Sequence, residues 1–188
     1  MTQDKINTEN LIAYLMKLIE KRGGEAYLGE AITQYEHMVQ TAACAEADGA
    51  GDEVIVAALL HDIGHFENDL PYRFAEGIDN RHEEAAATFL SPFYPAAVTE
   101  PIRLHVSAKR YLVAVDTEYF DHLSEASVET LRAQGGPMNQ AEITEFESNP
   151  FYREAVKLRR YDDDGKVARL TINPVEHYRP LLESLLTS

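Results

Sequence analysis

The pair His61-Asp62 is the feature of this sequence that points most directly to chemistry, because it ends an apolar run. The run reads ALLHDIGH, and its hydrophobic residues indicate that both polar side chains enter the protein interior. An imidazole and a carboxylate buried together are costly unless a charged partner compensates them. A divalent metal ion meets that need, and nitrogen with oxygen ligands suits iron, manganese, zinc or nickel better than calcium. The pair therefore predicts a buried metal site.

Other histidines and aspartates form a wider pattern around this pair, which alone would be common by chance. Of seven histidines, the first five lie in or beside predicted buried helices. A carboxylate has two oxygens with which to bridge two ions. Asp163 and Asp164 stay open as alternatives to Asp162, because an acidic run is usually a solvated turn. The full pattern, in chain order, is His37, His61, Asp62, His82, His105 and Asp162.

Helices are predicted to position these residues. Apolar residues over 11–19 follow the helical period, and Gly23-Gly24 is suited to end that helix. Residues 54–60 are apolar nearly all round, as in a buried central helix, and Asp52 is a candidate N-cap before them. Helices are also predicted over 33–47, 83–90, 96–106, 125–133 and 140–147, with a last one after Asn173-Pro174.

Strand signals are nearly absent, so the fold is predicted to be all-α. The best strand candidate is 166–172, KVARLTI, where the preceding DDDG would allow a short hairpin arm. Residues 66–80 mix Pro, Gly, Asp and aromatics, which indicates a functional loop. A chain of 188 residues with 45% hydrophobic content suits one core. We expect a single domain over 1–188, a helical bundle with at most a short β-hairpin near the C-terminus.

Composition restricts the partners. Seventeen basic against thirty-two acidic residues give a formal charge of -15, which argues against nucleic acid and anionic membrane surfaces. A small anion could still bind a local basic pocket. Cys44 is the only cysteine, so no internal disulfide forms, and neither a signal peptide nor a membrane span is evident. The expected location is the cytoplasm.

These motifs resemble the HD-domain superfamily. More closely, they resemble its mixed-valent diiron oxygenases, which cleave the carbon–phosphorus bond of hydroxylated aminoethylphosphonates. The resemblance covers nearly the whole chain. The matching segments are YLGEAITQYEH at 27–37, AALLHDIGH at 57–65, RHE at 81–83, HVSAKRYL at 105–112, LSEAS and AQGGPM within 123–138, and LRRYDDDGK at 158–166.

The resemblance implies a centre of two irons, Fe(II)/Fe(III) in its mixed-valent state, with O2 as cosubstrate. One iron would take His37, His61 and Asp162. The other would take His82 and His105, with Asp62 bridging the two. The implied reaction oxidises C1 of the phosphonate and releases phosphate and an amino acid.

The resemblance also implies the residues that bind the phosphonate: His65, Lys109, Ser127, Gln134 and Arg159. Charged and polar donors suit a phosphonate dianion. Their simpler interpretations stay open: Lys109 and Arg159 could form surface ion pairs, Ser127 could cap a helix and Gln134 could end one.

Tyr27 and Glu30 are implied to gate the site, and with Lys109 they make up the catalytic set. Their spacing in the sequence corresponds to one helical turn, which would put both on one face. The resemblance implies that Tyr27 occupies the oxygen-binding iron at rest and leaves when the substrate ammonium engages Glu30. A tyrosine before a helix that only packs is the alternative.

The amine end of the substrate is indicated by the loop FENDLPYRFAEGID. It offers Phe66, Tyr72 and Phe74 beside Glu67 and Asp69, which suits a quaternary ammonium group. This favours 1-hydroxy-2-(trimethylammonio)ethylphosphonate, which would give glycine betaine and phosphate. The alternative substrate is 2-amino-1-hydroxyethylphosphonate, which would give glycine.

Two other classes of function compete with the oxygenase. A metal-dependent HD phosphohydrolase would use the same six ligands to attack phosphorus with hydroxide. A non-catalytic HD binding module would be favoured by lost ligands, and none is lost here. A small-molecule partner is expected, and a homo-oligomer stays open.

Overall fold

Helices dominate the computed structural model, which describes residues 6–27, 30–67 and 79–187. Short 3-10 turns lie at Tyr119–His122 and Val175–Tyr178. The α-helices of the described residues are, in order, α1 (Leu11–Arg22), α2 (Gln34–Ala47), α3 (Asp52–Leu60), α4 (Gly64–Glu67), α5 (His82–Leu90), α6 (Ala96–Val115), α7 (Glu125–Ala133), α8 (Gln140–Ser148), α9 (Tyr152–Asp164) and α10 (Arg179–Ser184).

Helix α3 forms the centre of the bundle. All its residues from Val54 onward are buried, as expected for a segment without a polar face. Helices α2, α6 and α9 pack around it. One contiguous hydrophobic core joins α1, α2, α3, α5, α6, α9 and α10, and a smaller cluster lies between α6, α8 and α9. The all-α prediction is confirmed, whereas the single domain over residues 1–188 stays a prediction.

Most predicted helices are present, with three differences. Thr33 caps α2 in a reciprocal capping box with Glu36. Asp52, however, is the first residue of α3, and Gly51 occupies the N-cap without a side-chain bond. Helix α6 continues to Val115 instead of ending near residue 106, because Ala108 and Leu112 keep the buried face going beyond the polar residues. The third difference is that α4 and α9 form where no helix was predicted.

The short hairpin arm that the sequence would allow at residues 166–172 is not formed. This segment contains no strand, and Arg169 adopts a left-handed conformation with φ 62°. Gln40 satisfies the backbone there instead of a second strand. Its amide oxygen accepts from Val167 N at 2.9 Å, and its amide nitrogen donates to Val167 O at 2.9 Å. In the described part of the chain, the isolated β-bridge is Ala26 with Thr33.

Most of the loop residues that were candidates for binding the substrate amine lie outside the described residues. Phe66 packs in the hydrophobic core, with the guanidinium of Arg22 over its ring. Asp69, Tyr72 and Phe74 lie outside the described residues. None of the described helices combines the length and apolar character that a bilayer crossing requires.

Candidate metal centre

Five chain segments bring the six predicted ligands together. His37 lies on α2, His61 and Asp62 follow α3, and His82 begins α5. His105 lies in the middle of α6, and Asp162 near the end of α9. Each of the six is no more than 6% exposed. Residues far apart in the sequence thus form one buried polar cluster inside an apolar bundle.

Within this cluster, His37, His61 and Asp162 form a first group. His37 Nε2 lies 3.2 Å from His61 Nε2 and 3.4 Å from Asp162 Oδ1. The ligand atoms of these three residues lie close enough to bind one metal ion.

His82 and His105 form a second group, whose Nε2 atoms lie 3.1 Å apart. Asp62 lies between the two groups. Its Oδ1 is 3.3 Å from His82 Nε2 and 3.9 Å from His105 Nε2, and its Oδ2 is 3.5 Å from His37 Nε2. This is the position that a bridging carboxylate requires.

Hydrogen bonds at the Nδ1 atoms determine which ring nitrogen of each histidine, Nδ1 or Nε2, faces the metal cluster. His37, His61 and His105 lie with Nδ1 2.7–2.9 Å from backbone carbonyls, those of Gly165, Ala58 and Ile102. A carbonyl only accepts, so each of these Nδ1 atoms donates, and Nε2 carries a lone pair in the neutral ring. With both rings neutral, a hydrogen bond between His37 Nε2 and His61 Nε2 is therefore excluded. Two nitrogens about 2.1 Å from one ion lie about 3.1 Å apart when the bonds enclose roughly 97°, an angle compatible with common metal geometries.

The carboxylates support the same conclusion. Asp62 Oδ2 and Asp162 Oδ1 are buried and have no hydrogen-bond partner. Burial alone would raise the pKa of Asp62, but neighbouring histidines, His61 first, hold it well below its ordinary value. Burial lowers the pKa of His61 and of His105. Ionised carboxylates and neutral imidazoles are the forms that bind metal, so the residues present fit two cations.

Two glycines allow the segments to approach so closely. A Cβ on Gly64 would lie 2.0 Å from the backbone oxygen of His82, so only glycine lets α4 pack on the start of α5. A Cβ on Gly165 would lie 2.5 Å from Thr41 Oγ1. Gly165 therefore lets the end of α9 reach α2 and present its carbonyl to His37.

The structure separates Asp162 from its two acidic neighbours. Asp162 Oδ2 accepts from Arg159 Nη1 at 2.6 Å, which leaves Oδ1 facing His37. Asp163 pairs with Arg159 and Tyr119, and Asp164 is exposed. Among the three aspartates, Asp162 is thus the one placed as a ligand.

A cavity opens beside the metal cluster and is lined by the residues expected to bind the phosphonate and by the two residues expected to gate the site. These are Tyr27, Glu30, His65, Lys109, Ser127, Gln134 and Arg159. Lys109 and Arg159 are only 3% and 4% exposed, so their interpretation as surface ion pairs is wrong. Ser124, not Ser127, caps α7, and Gln134 lies at its C-terminal end.

The buried lysine of this cavity is electrostatically unusual. Lys109 Nζ donates to Thr130 Oγ1 at 2.8 Å. Burial, and then the positive charge of Arg159, lower the pKa of Lys109 to about 7. An incoming anion would favour the charged form of this amine.

Asn80 links a metal ligand to a cavity residue and was missed from the sequence. Its Oδ1 lies 3.1 Å from His82 Nδ1, and its Nδ2 lies 3.2 Å from His65 Nδ1. Asn80 therefore donates to His65 Nδ1, so the hydrogen of neutral His65 is on Nε2. His65 Nε2 lies 3.8 Å from Asp62 Oδ1. This tautomer makes His65 a donor instead of a metal ligand.

Tyr27 and Glu30 both line the cavity, but they are not on a helix. Glu30 N donates to Tyr27 O at 2.8 Å, which closes a turn before α2. Both side chains nevertheless reach the same cavity. Tyr27 stacks on His37, with ring centroids 4.0 Å apart. Glu30 Oε1 is buried and has no hydrogen-bond partner among the described residues.

Lys166 and Thr130 are further cavity residues that the sequence reasoning missed. Lys166 directly follows the DDDG run, and that proximity to Asp162 was the available signal. Thr130 lies one helical turn after Ser127 on α7, so its spacing could have indicated it.

The helical bundle thus encloses two groups of buried histidine and aspartate side chains that could each hold a metal ion, His37 with His61 and Asp162, and Asp62 with His65 and His82. The HD domain family model matches residues 34–121. The chain is 42% identical over 183 residues to the 1-hydroxy-2-(trimethylamino)ethylphosphonate dioxygenase (glycine-betaine-forming) of Leisingera caerulea, covering 97% of this chain and 93% of that protein. It is 46% identical over 178 residues to the hydroxymethylphosphonate dioxygenase of Gimesia maris, covering 93% and 88%. The chain therefore belongs to the family of HD-domain phosphonate dioxygenases.

Proposed function

We propose that the protein is an O2-dependent diiron oxygenase. It oxidises C1 of 1-hydroxy-2-(trimethylammonio)ethylphosphonate and cleaves the carbon–phosphorus bond to give glycine betaine and phosphate. The observation that carries this proposal is a single cavity that joins the metal ligands, buried cations for a phosphonate and the unpaired carboxylate oxygen of Glu30. The relatives named as phosphonate dioxygenases support it. We place this activity in one domain over residues 1–188.

The proposed cofactor is a pair of irons in the mixed-valent state. His37, His61 and Asp162 would hold one, His82 and His105 the other, and Asp62 would bridge them. When bound, the irons would activate dioxygen and chelate the substrate through its alcohol and one phosphonate oxygen. The cytoplasmic location and the homo-oligomer stay predictions.

The phosphonate end is assigned to the basic side of the cavity. Lys109 and Arg159 offer charge, and Ser127, Gln134 and His65 offer neutral hydrogen-bonding groups. Gln134 would bind a phosphonate oxygen through its amide NH2 group, because the amide oxygen can only accept. Buried donors in a site shielded from water bind an anion more strongly than exposed ones.

The amine end is assigned to Glu30. A buried carboxylate oxygen without a partner is costly, and a substrate cation would relieve that cost. A trimethylammonium group has no N–H, so it would be attracted by charge alone, whereas a primary ammonium would also donate hydrogen bonds. In either case Glu30 would couple substrate entry to Tyr27, which shares its turn.

A second candidate substrate, one without an amine group, has a specific observation in its favour. The relative from Gimesia maris is a hydroxymethylphosphonate dioxygenase, and hydroxymethylphosphonate has no amine. That substrate would leave Glu30 unpaired, which is why we rank it second. The free-amine substrate, 2-amino-1-hydroxyethylphosphonate, is the remaining oxygenase alternative.

A side-by-side assay tests the proposal. Anaerobically iron-loaded, partially oxidised protein is given each of the three phosphonates while oxygen uptake and phosphate release are recorded. We expect oxygen uptake and phosphate release to occur together with each phosphonate that is a substrate, and the highest kcat/KM for the trimethylammonio compound. Phosphate release under strict anoxia would instead identify a hydrolase, and equal rates with Glu30→Gln would remove the amine assignment.

A further inference from the structure

Lys166 lines the same cavity but is not among the residues assigned to the phosphonate or to the amine. It follows Gly165 directly after α9, and its side chain is 11% exposed. Its ammonium lies 3.3 Å from Ser127 Oγ. Arg159 Nη2 approaches the same hydroxyl at 3.5 Å. Two cations, one on α9 and one directly after its C-cap, thus meet at one hydroxyl of α7.

Among the described residues, no acceptor lies within the usual charge-assisted hydrogen-bond distance of this ammonium. Lys166 Nζ lies 3.4 Å from Asp162 Oδ1 and 3.5 Å from Asp163 Oδ1. Charge-assisted hydrogen bonds are normally about 2.7–2.9 Å long. By contrast, Arg159 Nη1 reaches Asp162 Oδ2 at 2.6 Å. The arginine is therefore fixed by its carboxylates, whereas the lysine lies between three distant acceptors.

The charges of the cavity show what the lysine adds. Arg159 and Lys166 carry positive charge, and Asp162 and Asp163 both pair with Arg159. Lys109, whose pKa is lowered to about 7 by burial, adds only part of a positive charge at neutral pH. Without Lys166 these groups would carry no net positive charge, which is a poor environment for a dianion. Lys166 supplies the excess positive charge beside Ser127, where the phosphonate is assigned.

We propose that Lys166 binds the phosphonate together with Lys109 and Arg159; this assignment rests on the proposed function. Its ammonium also lies 5.9 Å from the centre of the Tyr27 ring, at the distance of a cation–π contact. A metal ion on Asp162 Oδ1 would compete with the ammonium for that oxygen and favour its contact with substrate. Lys166 thereby connects the phosphonate end of the cavity to Tyr27.

The test measures binding without turnover. Methylphosphonate has the phosphonate group but no C1 hydroxyl, so its affinity for iron-loaded protein is measured by titration calorimetry. We expect Lys166→Met to weaken it about tenfold or more, and Lys166→Arg to recover part of the loss, because the charge is retained. The matched control is Lys157→Met, since Lys157 is exposed on α9. Iron content is measured for every variant.

Unchanged affinity in Lys166→Met, with about two irons retained, would overturn the assignment. Loss of iron without loss of methylphosphonate affinity in the loaded fraction would also overturn it, because the lysine would then only position Asp162. The proposed function fails separately. If the wild-type protein consumes no oxygen with any hydroxyphosphonate, that proposal is lost, while the comparison of methylphosphonate affinities still decides the role of Lys166.

Discussion

Gly165→Ala is expected to weaken the metal centre from outside the set of ligands. The added Cβ would lie 2.5 Å from Thr41 Oγ1 and 2.9 Å from Thr41 N, whereas ordinary contacts are about 3.5 Å or longer. The loop would have to retreat by about 1 Å. The distance from His37 Nδ1 to Gly165 O would then grow from 2.9 Å to about 3.9 Å, beyond hydrogen-bonding range.

Two magnitudes follow from this displacement. Overpacking of this kind costs about 1–3 kcal/mol of unfolding free energy. Loss of the hydrogen bond that orients a metal-binding imidazole lowers metal affinity roughly 10- to 100-fold. We would measure the first by urea unfolding of the metal-free protein and the second by competition with a chromophoric iron(II) chelator.

The matched control is Gly24→Ala, because an added Cβ at Gly24 meets nothing within 4 Å. Adding Thr41→Ala to Gly165→Ala should restore part of both losses, since it removes the contact with Oγ1 but not the contact with the backbone nitrogen. Wild-type iron affinity in Gly165→Ala would refute the idea that the Gly165 carbonyl orients His37.

Three further predictions concern the cluster and cavity. His61→Ala should lose bound iron by metal analysis, and unchanged content would remove the ligand assignment. Asn80→Ala should raise KM for the phosphonate about tenfold and reduce iron affinity roughly 10-fold or more, because both His65 and His82 lose a partner. If only the iron affinity changed, Asn80 would support the metal ligand His82 but not substrate binding through His65. Because burial lowers the pKa of Lys109 to about 7, the folded state favours the neutral amine, and methylphosphonate affinity should fall as pH rises above about 7. Lys109→Met should flatten that dependence, and a slope that persists in the variant would assign it to another group.

Two of the candidate metal ligands were predictable from the pattern of their surroundings, whereas the roles of the other four were implied by the resemblance. His61 and Asp62 end a segment in which every neighbour is buried and apolar, so their presence needed an explanation that metal binding supplies. Asn80 was not predictable in this way. Its role depends on two imidazoles, on His65 and His82, whose orientation only the fold determines.

Helix α9 shows why the remaining part of the site was harder to predict. Its buried face consists of Ala155, Leu158, Arg159, Tyr161 and Asp162, which has helical spacing but includes two charged residues. Periodicity of apolar residues misses such a helix, because the side chains that define its inner face are the ones that function. The acidic run at its end suggested a solvated turn, whereas Arg159 and the metal cluster supply the compensation that lets Asp162 be buried. Arg159 and Asp162, the charged residues that interrupt the apolar pattern of this helix, are therefore also the residues that it contributes to the site.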